Sequence, residues 1–193
     1  MSTTDSWAQN FFERLNTRGF ELVQELIAQQ VTEELYLDYK GVATISVEKS
    51  LRDDDRKNLA KAISGFANSE GGVIIWGVDC RPDSSGKEVV REKYLADPTW
   101  FKSLIDNNIG SLTTPFHSAV KSVALSPSID APGVVVTFVP EGQNVPYYSN
   151  ARNALGYYMR TGTNFLPVPH GLLAGLFGRK PTPILKGSFK PNE

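Results

Sequence analysis

The sequence predicts an α+β domain in which helices pack against a mixed β-sheet. The chain has 193 residues, enough for one domain with a sizeable core and too few for two full ones. Hydrophobic residues make up 40% of the chain and charged residues 21%, which is the balance of a folded globular protein. Segments with helical periodicity alternate with short β-branched runs, in the order helix, strand, helix, strand, helix, strand, strand.

Two short helices and a strand are predicted at the start of the chain. Apolar residues recur at helical spacing over residues 6–30, and the triplet Thr17–Gly19 interrupts them, which favours two helices over one. Leu35–Lys40 is rich in aromatic and aliphatic residues and predicts a strand. We expect Gly41–Arg52 to be a loop or a frayed strand.

A helix followed at once by a buried strand is predicted in the next segment. Asp53–Asp55 places acids where they favour the helix dipole, so that a helix is expected over Arg56–Asn68. The glycines Gly71 and Gly72 end it, because glycine accepts backbone angles that other residues avoid. Val73–Val78 is apolar throughout, which is typical of a strand buried on both faces.

The second half of the chain predicts a polar turn at Arg81–Lys87 and a helix at Thr99–Ile109. Short β-branched or aromatic runs separated by turn residues then predict further strands. We expect strands at Ser118–Leu125, Gly133–Val139, Pro146–Ser149 and Gly156–Arg160, and a last helix at Leu172–Phe177.

The composition excludes several classes of protein. A net charge of −1 argues against a uniformly basic DNA-coating protein, although the bases are concentrated after residue 56 and allow a local basic surface. The longest apolar runs, Gly72–Val78 and Gly133–Val139, are too short to span a bilayer, and the polar start Met1–Asp5 is unlike a secretory signal. Cys80 is the single cysteine and cannot form an internal disulfide, so the expected compartment is a reducing cytoplasm.

The most informative chemistry lies in Glu33–Lys40. Alternate side chains of a strand share a face, so Asp38 and Lys40 should point the same way, with Glu33 or Glu34 entering from the preceding turn. Two carboxylates and a lysine in one cleft suit a metal-dependent phosphodiesterase, in which the carboxylates hold Mg²⁺ or Mn²⁺ and the ammonium stabilises phosphate charge. The alternative is a strand end whose solvated charges pair with one another.

Asp79 is the candidate for a third metal ligand. It follows the buried strand Val73–Val78, at the point where a strand leaves the core. Its structural alternative is to cap the turn Cys80–Asp83.

A candidate phosphate contact lies at Arg160–Asn164, where an arginine at a strand end is followed by a glycine turn. The guanidinium of Arg160 and the backbone near Thr163 would suit a phosphate, and Tyr157 and Tyr158 would offer a stacking face to an unpaired base. Alternatively, the two tyrosines are split between core and surface, and Arg160 pairs with an acid. Lys57 and its helical neighbours could touch a nucleic-acid backbone, or form an ordinary solvated face.

Three segments of the chain resemble the Schlafen AlbA-like domain family: Glu33–Lys40, Ala67–Asp79 and Tyr157–Thr163. The most specific of these is the Ala-Asn-x-x-Gly-Gly run that precedes a strand. The resemblance extends from about Glu33 to Phe177. It therefore divides the chain into an N-terminal helical extension (1–32), the AlbA-like domain (33–177) and a basic, proline-containing tail (178–193).

The resemblance implies an AlbA-like fold and nucleic-acid binding, and some members of the family are endoribonucleases. In those members two acids five residues apart, a lysine two residues further on and a later acid form the site. Carried over, the catalytic residues are Glu33, Asp38, Lys40 and Asp79, with the three carboxylates as ligands of Mg²⁺ or Mn²⁺. The chain departs from the pattern at Asp38, where glutamate is usual and reaches further toward a metal.

The resemblance also bears on assembly and cofactors. Nuclease members pair two such lobes into a positively charged groove, so a homodimer would have to supply the second lobe here. Many bacterial members carry an ATP-binding label, but this sequence has no G-x-x-x-x-G-K-[ST] loop, which argues against nucleotide hydrolysis.

The sequence leaves three functions open. The first is metal-dependent cleavage of RNA or single-stranded DNA, and the second is a non-catalytic nucleic-acid-binding module of a bacterial regulator or defence protein. The third is a protein-interaction scaffold, in which the apolar residues Phe11, Phe12, Leu15 and Phe20 dock on a second copy.

Overall fold

A computed structural model describes residues 6–45 and 48–178, so the tail predicted over 178–193 lies outside the described residues except for Gly178. The chain forms an α+β fold. In chain order its elements are α1 (Trp7–Arg18), α2 (Phe20–Ala28), β1 (Leu37–Lys40), α3 (Asp53–Ala67), β2 (Gly72–Trp76), β3 (Val78–Pro82), β4 (Glu88–Glu92), α4 (Pro98–Leu112), β5 (Thr113–Thr114), β6 (Lys121–Leu125), β7 (Val134–Val139), β8 (Tyr148–Ser149), β9 (Gly156–Thr161), β10 (Asn164–Pro167) and α5 (His170–Gly178).

A four-stranded mixed sheet in the order β1-β2-β7-β6 forms the centre of the fold. β1 runs parallel to β2, whereas β7 is antiparallel to both β2 and β6. Asp38 is in register with Ile74 and Lys40 with Trp76. Because side chains alternate across a strand, Asp38 and Lys40 lie on one face of this sheet while Leu37 and Tyr39 lie on the other.

The two N-terminal helices cover the Leu37 face of the sheet. Phe11, Leu15 and Phe20 are buried there together with strand residues such as Val73. The ring of Phe12 stacks on Phe138 of β7. The apolar residues predicted to dock on a second copy are therefore part of this domain's own core, which corrects the scaffold interpretation as it was drawn from these residues.

The opposite face of the sheet packs on α3 and α4. A second sheet, in the order β10-β9-β8-β5, covers the other side of α3, where the ring of Phe66 meets Phe165 edge-to-face. Helix α3 is thus enclosed between two sheets, and Leu59, Ile63 and Phe66 have no measurable exposure. A helix held on two sides in this way positions its remaining exposed residues rigidly.

The turn between α3 and β2 confirms the prediction that glycine ends this helix. Gly71 has a φ of +81°, and its amide donates to the carbonyl of Phe66. A Cβ atom at this position would lie 2.9 Å from the carbonyl oxygen of Val139. Asn68, the C-cap of α3, connects this helix to the second sheet through its side chain. Its Oδ1 accepts from the backbone amide of Tyr147, and its Nδ2 donates to the carbonyls of Tyr147 and Tyr158.

The apolar run predicted as one strand is two strands in the structure. Gly77, with a φ of +96°, ends β2 and redirects the chain into β3, which pairs with β4 as an antiparallel hairpin. The segment predicted as a polar turn therefore includes part of this hairpin. Asp83 holds its tip by accepting from the amides of Ser85 and Lys87, so the turn-capping role considered for Asp79 belongs to Asp83.

The described helices are short. The longest, α3 and α4, have 15 residues each. Over the described residues, no helix combines the length and apolar character that crossing a membrane requires.

Candidate nucleic-acid interface

A cluster of charged side chains lies at β1, where the sequence predicted it. The carboxylate of Asp38 is only 1% exposed, and its Oδ2 is 2.7 Å from Nζ of Lys40. The same Nζ lies 3.9 Å from Oε1 of Glu33. Three of the four predicted catalytic residues are therefore together, and the ammonium of Lys40 lies between the two carboxylates.

Arg160 joins this cluster from β9 and is buried. Its Nη1 donates to Oδ1 of Asp38 at 3.0 Å, and its Nη2 donates to the carbonyls of Glu34 and Leu37 at 2.9 Å each. The guanidinium also lies over the rings of Phe66 and Phe165. Of the two alternatives for Arg160, pairing with an acid is the one observed, and a direct phosphate contact is the one corrected, because the side chain is 0% exposed.

Glu33 has an unusual protonation equilibrium. Burial, followed by the charge of Asp38, raises the pKa of Glu33 to about 7, against a smaller opposing effect of Lys40. Its Oε1 accepts a hydrogen bond from the backbone amide of Tyr39. Near neutral pH this carboxyl group therefore exchanges between the neutral and the charged form, next to the ammonium of Lys40.

Asp79 lies in β3 and is engaged by two other cations. Its Oδ1 pairs with Nε of Arg81 at 2.9 Å and its Oδ2 with Nζ of Lys93 at 3.1 Å. Among the described residues, no three His, Cys, Asp or Glu side chains are grouped so as to hold a metal ion. The residues as placed therefore do not fit the predicted metal site with Glu33, Asp38 and Asp79 as joint ligands.

A basic surface borders the β1 cluster and includes two of the predicted nucleic-acid contacts. Lys57 and Lys61 are one turn apart on the partly exposed side of α3, and the charges of Lys57 and Lys40 both act on Lys61. Burial, then the charges of Lys57 and Lys40, lower the pKa of Lys61. Nζ of Lys61 lies 5.0 Å from the centre of the Tyr158 ring. We refer to Lys40, Lys57, Lys61 and Tyr158 as the lysine cluster.

The remaining predicted contact, Thr163, lies in the β9–β10 turn beside Gly162, which has a φ of +57°. Tyr157 is part of an aromatic group, with its ring edge-to-face against Tyr148 and Phe177. It is therefore the ring of Tyr158, and not that of Tyr157, that contacts the ammonium of Lys61.

Three residues of this region were not singled out by the sequence. Asp55 is buried and accepts from the amides of Ala43 and Thr44, so it fixes the loop after β1 to helix α3. Arg81 comes from β3 and Lys93 is the residue after β4, and both contact Asp79. The alternation of polar and apolar residues in Val78–Pro82 is the signal that would have indicated an exposed, charged hairpin face.

Another hollow lies between the start of α1 and the α3–β2 turn and has a volume of about 650 Å³. Trp7 and Leu35 contribute apolar walls, and the exposed carboxylates of Glu70 and Glu141 lie at its rim. Those carboxylates would repel a phosphate, so this hollow does not extend the lysine cluster.

Comparison with known proteins confirms the resemblance inferred from the motifs. The model of the family described as "Schlafen, AlbA_2" matches residues 23–169. The chain belongs to the Schlafen AlbA_2 family. The match covers β1 to β10 and every member of the lysine cluster, and it begins inside α2, so it includes part of the predicted N-terminal extension.

A solved structure supports the fold of this Schlafen AlbA_2 domain. It is the N-terminal domain of a RecG-related protein from Nitrosomonas europaea, named for its relation to an ATP-dependent DNA helicase and determined by NMR in solution. The two chains share 22% identity with a TM-score of 0.51, over 78% of this chain and 94% of that one. A search of curated proteins found no match.

Proposed function

We propose that this Schlafen AlbA_2 domain binds nucleic acid through the lysine cluster. The observation that carries the proposal is that the charges of Lys57 and Lys40 both act on Lys61, whose ammonium lies 5.0 Å from the centre of the Tyr158 ring. Family membership and the relation of the structural neighbour to a DNA helicase support the same class of ligand.

Electrostatics favours an anionic ligand at this surface. The ammonium groups of Lys57 and Lys40 repel that of Lys61, and after burial they are the causes that lower the pKa of Lys61. Of the nearby carboxylates, Asp38 is already paired with Arg160, and Glu33 is partly protonated near neutral pH. A phosphate backbone would relieve this repulsion and release its own counterions.

The aromatic ring adds a contact that a simple polyanion would not use. Tyr158 is partly exposed and already accepts the cation of Lys61 near its face. A base stacked on such a ring is worth about 1–3 kcal/mol, and the contact tolerates any base sequence. We therefore expect single-stranded RNA or DNA to bind better than a polyanion without bases.

Fluorescence anisotropy with labelled oligouridylate and oligothymidylate tests the proposal. Lys57→Gln and Lys61→Gln should each reduce the slope of log K against log salt by about 0.7, the contribution of one phosphate contact on a single strand. Lys121→Gln is the matched control, because this exposed lysine lies in β6, on the opposite edge of the same sheet from β1. Equal slopes in all variants would refute the proposal.

Cleavage of phosphodiesters is a second candidate, favoured by the meeting of Glu33, Asp38 and Lys40. The ammonium of Lys40, already between two carboxylates, would stabilise charge on the scissile phosphate. The decisive comparison is cleavage of labelled tRNA and single-stranded DNA, with Mg²⁺ or Mn²⁺ and with chelator, by wild type and by Glu33→Gln. Equal background in all samples would leave the binding function alone.

A further inference from the structure

A second cationic site lies beside the lysine cluster. It surrounds a hollow of about 330 Å³ whose lining includes Arg81, Lys93, Asn58, Asp54 and the loop 41–43. The loop wall is rigid, because the buried carboxylate of Asp55 accepts from the amides of residues 43 and 44. The hollow therefore combines fixed backbone walls with cationic side chains from a different element.

Those cations belong to one face of the β3–β4 hairpin. Asp79 is in register with Arg91, and Arg81 follows Asp79 by two residues, so their side chains project from the same face. Lys93 reaches this face as well, as its contact with Asp79 shows. The opposite face carries Val78 and Val90, which are buried against the N-terminal helices. The hairpin is thus a ribbon with one apolar and one basic face.

The charge balance of the basic face leaves cations for a ligand. Asp79 is one carboxylate shared by two cations, with Arg81 and Lys93 69% and 50% exposed. Arg81 contacts Asp79 through Nε, and its two Nη groups make no hydrogen bond to any described residue. The carboxylate of Asp83 accepts from the backbone amide of Ser85 in its own turn, and the charge of Arg91 also stabilises it. The lining itself carries two carboxylates: Asp54, exposed at the rim, and Asp55, which is buried and accepts from the amides of residues 43 and 44.

Helix α3 connects the hollow to the lysine cluster. Asp54 and Asn58 line the hollow, while Lys57 and Lys61 belong to the cluster. From position 54 to position 61 the helix rises roughly 10 Å. A segment of a few nucleotides is long enough to span that distance. One strand can therefore contact both sites.

We propose that the hollow at Arg81 and Lys93 is a second phosphate site, which holds the backbone of the same nucleic-acid strand that the lysine cluster binds. This inference rests on the proposed function. Asp79 acts in it as a positioning residue: it holds the two cations at the mouth of the hollow and does not touch the ligand. Arg81, with two unused Nη groups, is the bidentate contact to the phosphate.

The test uses anisotropy with labelled oligouridylate of about 20 nucleotides, from about 50 to 200 mM salt. Lys93→Gln and Arg81→Gln should each lower the salt slope by about 0.7, as for a lost phosphate contact. Each variant leaves Asp79 paired with the other cation, so that thermal unfolding should stay unchanged. Lys121→Gln is the control for loss of a remote positive charge.

A matched pair of acid variants gives an effect in the opposite direction. Asp53 and Asp54 both lie in the first turn of α3, but only Asp54 lines the hollow. Asp54→Asn should tighten binding about two- to fivefold, because a charge close to a bound phosphate is removed. Asp53→Asn removes the same charge from the same helix end and should change affinity much less.

The outcomes separate this inference from the proposed function. If Lys57→Gln and Lys61→Gln weaken binding while Lys93→Gln and Arg81→Gln match Lys121→Gln, the lysine cluster binds nucleic acid and the second phosphate site is refuted. If Asp54→Asn and Asp53→Asn have equal effects, the site is likewise refuted. If wild type shows no salt-dependent binding, both proposals fail.

Discussion

Asp38 and Arg160 form an ion pair that is almost completely removed from water, with side chains 1% and 0% exposed. Removing one partner of such a pair leaves an uncompensated buried charge, which costs about 3–5 kcal/mol. We therefore expect Arg160→Gln to lower the free energy of unfolding by about that amount in urea titrations at neutral pH. The exposed Arg152→Gln serves as the control and should change it by less than about 0.5 kcal/mol.

A loss below about 1 kcal/mol for Arg160→Gln would contradict this account of the pair. It would mean that the folded chain can rearrange so that Asp38 is neutral, or paired with Lys40 alone. The same variant shows whether nucleic-acid binding depends on Arg160 directly. A folded Arg160→Gln protein should keep its salt slope, because the guanidinium makes its contacts inside the domain.

Glu33 gives the protein a pH-dependent stability. Its pKa is raised from an ordinary value of 4.5 to about 7 on folding, so between these values the folded state holds more protons than the unfolded state. The free energy of unfolding should therefore fall as pH rises from about 4.5 to about 7 and level off above. Glu33→Gln, which keeps an acceptor for the amide of Tyr39, should remove most of this decline.

Urea unfolding at several pH values, together with an NMR titration of the Glu33 carboxyl carbon, measures both quantities. A carboxyl that titrates near its ordinary value, or an unchanged pH profile in Glu33→Gln, would show that the site is more open to water than the structure indicates.

Individual site residues were predictable from sequence only where local spacing decides their direction. Asp38 and Lys40 are two residues apart in a strand, and the structure confirms that they share a face. The partner that buries Asp38 is 122 residues away in sequence, and no local pattern indicates that β9 crosses α3 to reach it. The pairing of Asp79 with Arg81 has the same local spacing, whereas its pairing with Lys93, the residue after β4, depends on how the hairpin folds.

At the scale of elements, two glycines provide a matched test of the α3–β2 turn. Gly71 and Gly86 have nearly the same positive φ, +81° and +84°. A Cβ at Gly71 would lie 2.9 Å from the carbonyl oxygen of Val139, whereas nothing lies within 4 Å of one at Gly86. Both Gly→Ala variants are strained by about 1–2 kcal/mol, and only Gly71→Ala adds a backbone clash.

Gly71→Ala should therefore be the more destabilised of the two by about 1–3 kcal/mol, measured as the difference in urea unfolding free energy. Equal losses would imply that β7 can move away from the turn without cost. That result would contradict the view that the Ala-Asn-x-x-Gly-Gly run is structural.

The helices were easier to predict than the strands. α1 to α4 were expected within a few residues because each has an apolar stripe with helical spacing and a clear start or stop signal. Within Val73–Val78, Gly77 is the one residue that could signal the end of a strand. The sequence therefore did not indicate that the chain leaves the central sheet at Gly77 and continues as β3. β4 is mostly polar and β10 ends in Pro167, and both lack the alternation that identifies a strand.

The candidate interface is a property of the whole molecule. Lys40 comes from β1, Lys57 and Lys61 from α3, Tyr158 from β9 and Lys93 from the segment after β4. The near-zero net charge of the chain does not indicate this surface, because acids elsewhere in the chain, several of them buried or paired, offset its lysines. Family resemblance indicated nucleic-acid binding, but only the tertiary structure locates the cations.

Whether α1 is a separate extension or part of the domain is a question about cooperativity. Leu15 is completely buried in the core that α1 and α2 share with the central sheet, whereas its neighbour Asn16 is exposed. Leu15→Ala should lower the unfolding free energy of the entire domain by about 2–5 kcal/mol, and Asn16→Ala should have little effect. Hydrogen exchange at the backbone amides of β2, which are distant from α1 in sequence, measures the unfolding free energy of the entire domain.

If α1 belongs to the cooperative unit, the Leu15→Ala loss appears in full at the slowest-exchanging amides of β2, since those exchange only when the whole domain unfolds. If α1 were an appendage that frays by itself, the same substitution would accelerate exchange within α1 alone and leave β2 unchanged. The first outcome follows from the packing of Leu15 and Val73 in one core. It would also mean that a version of this domain beginning at residue 33 lacks the cover of one face of its sheet.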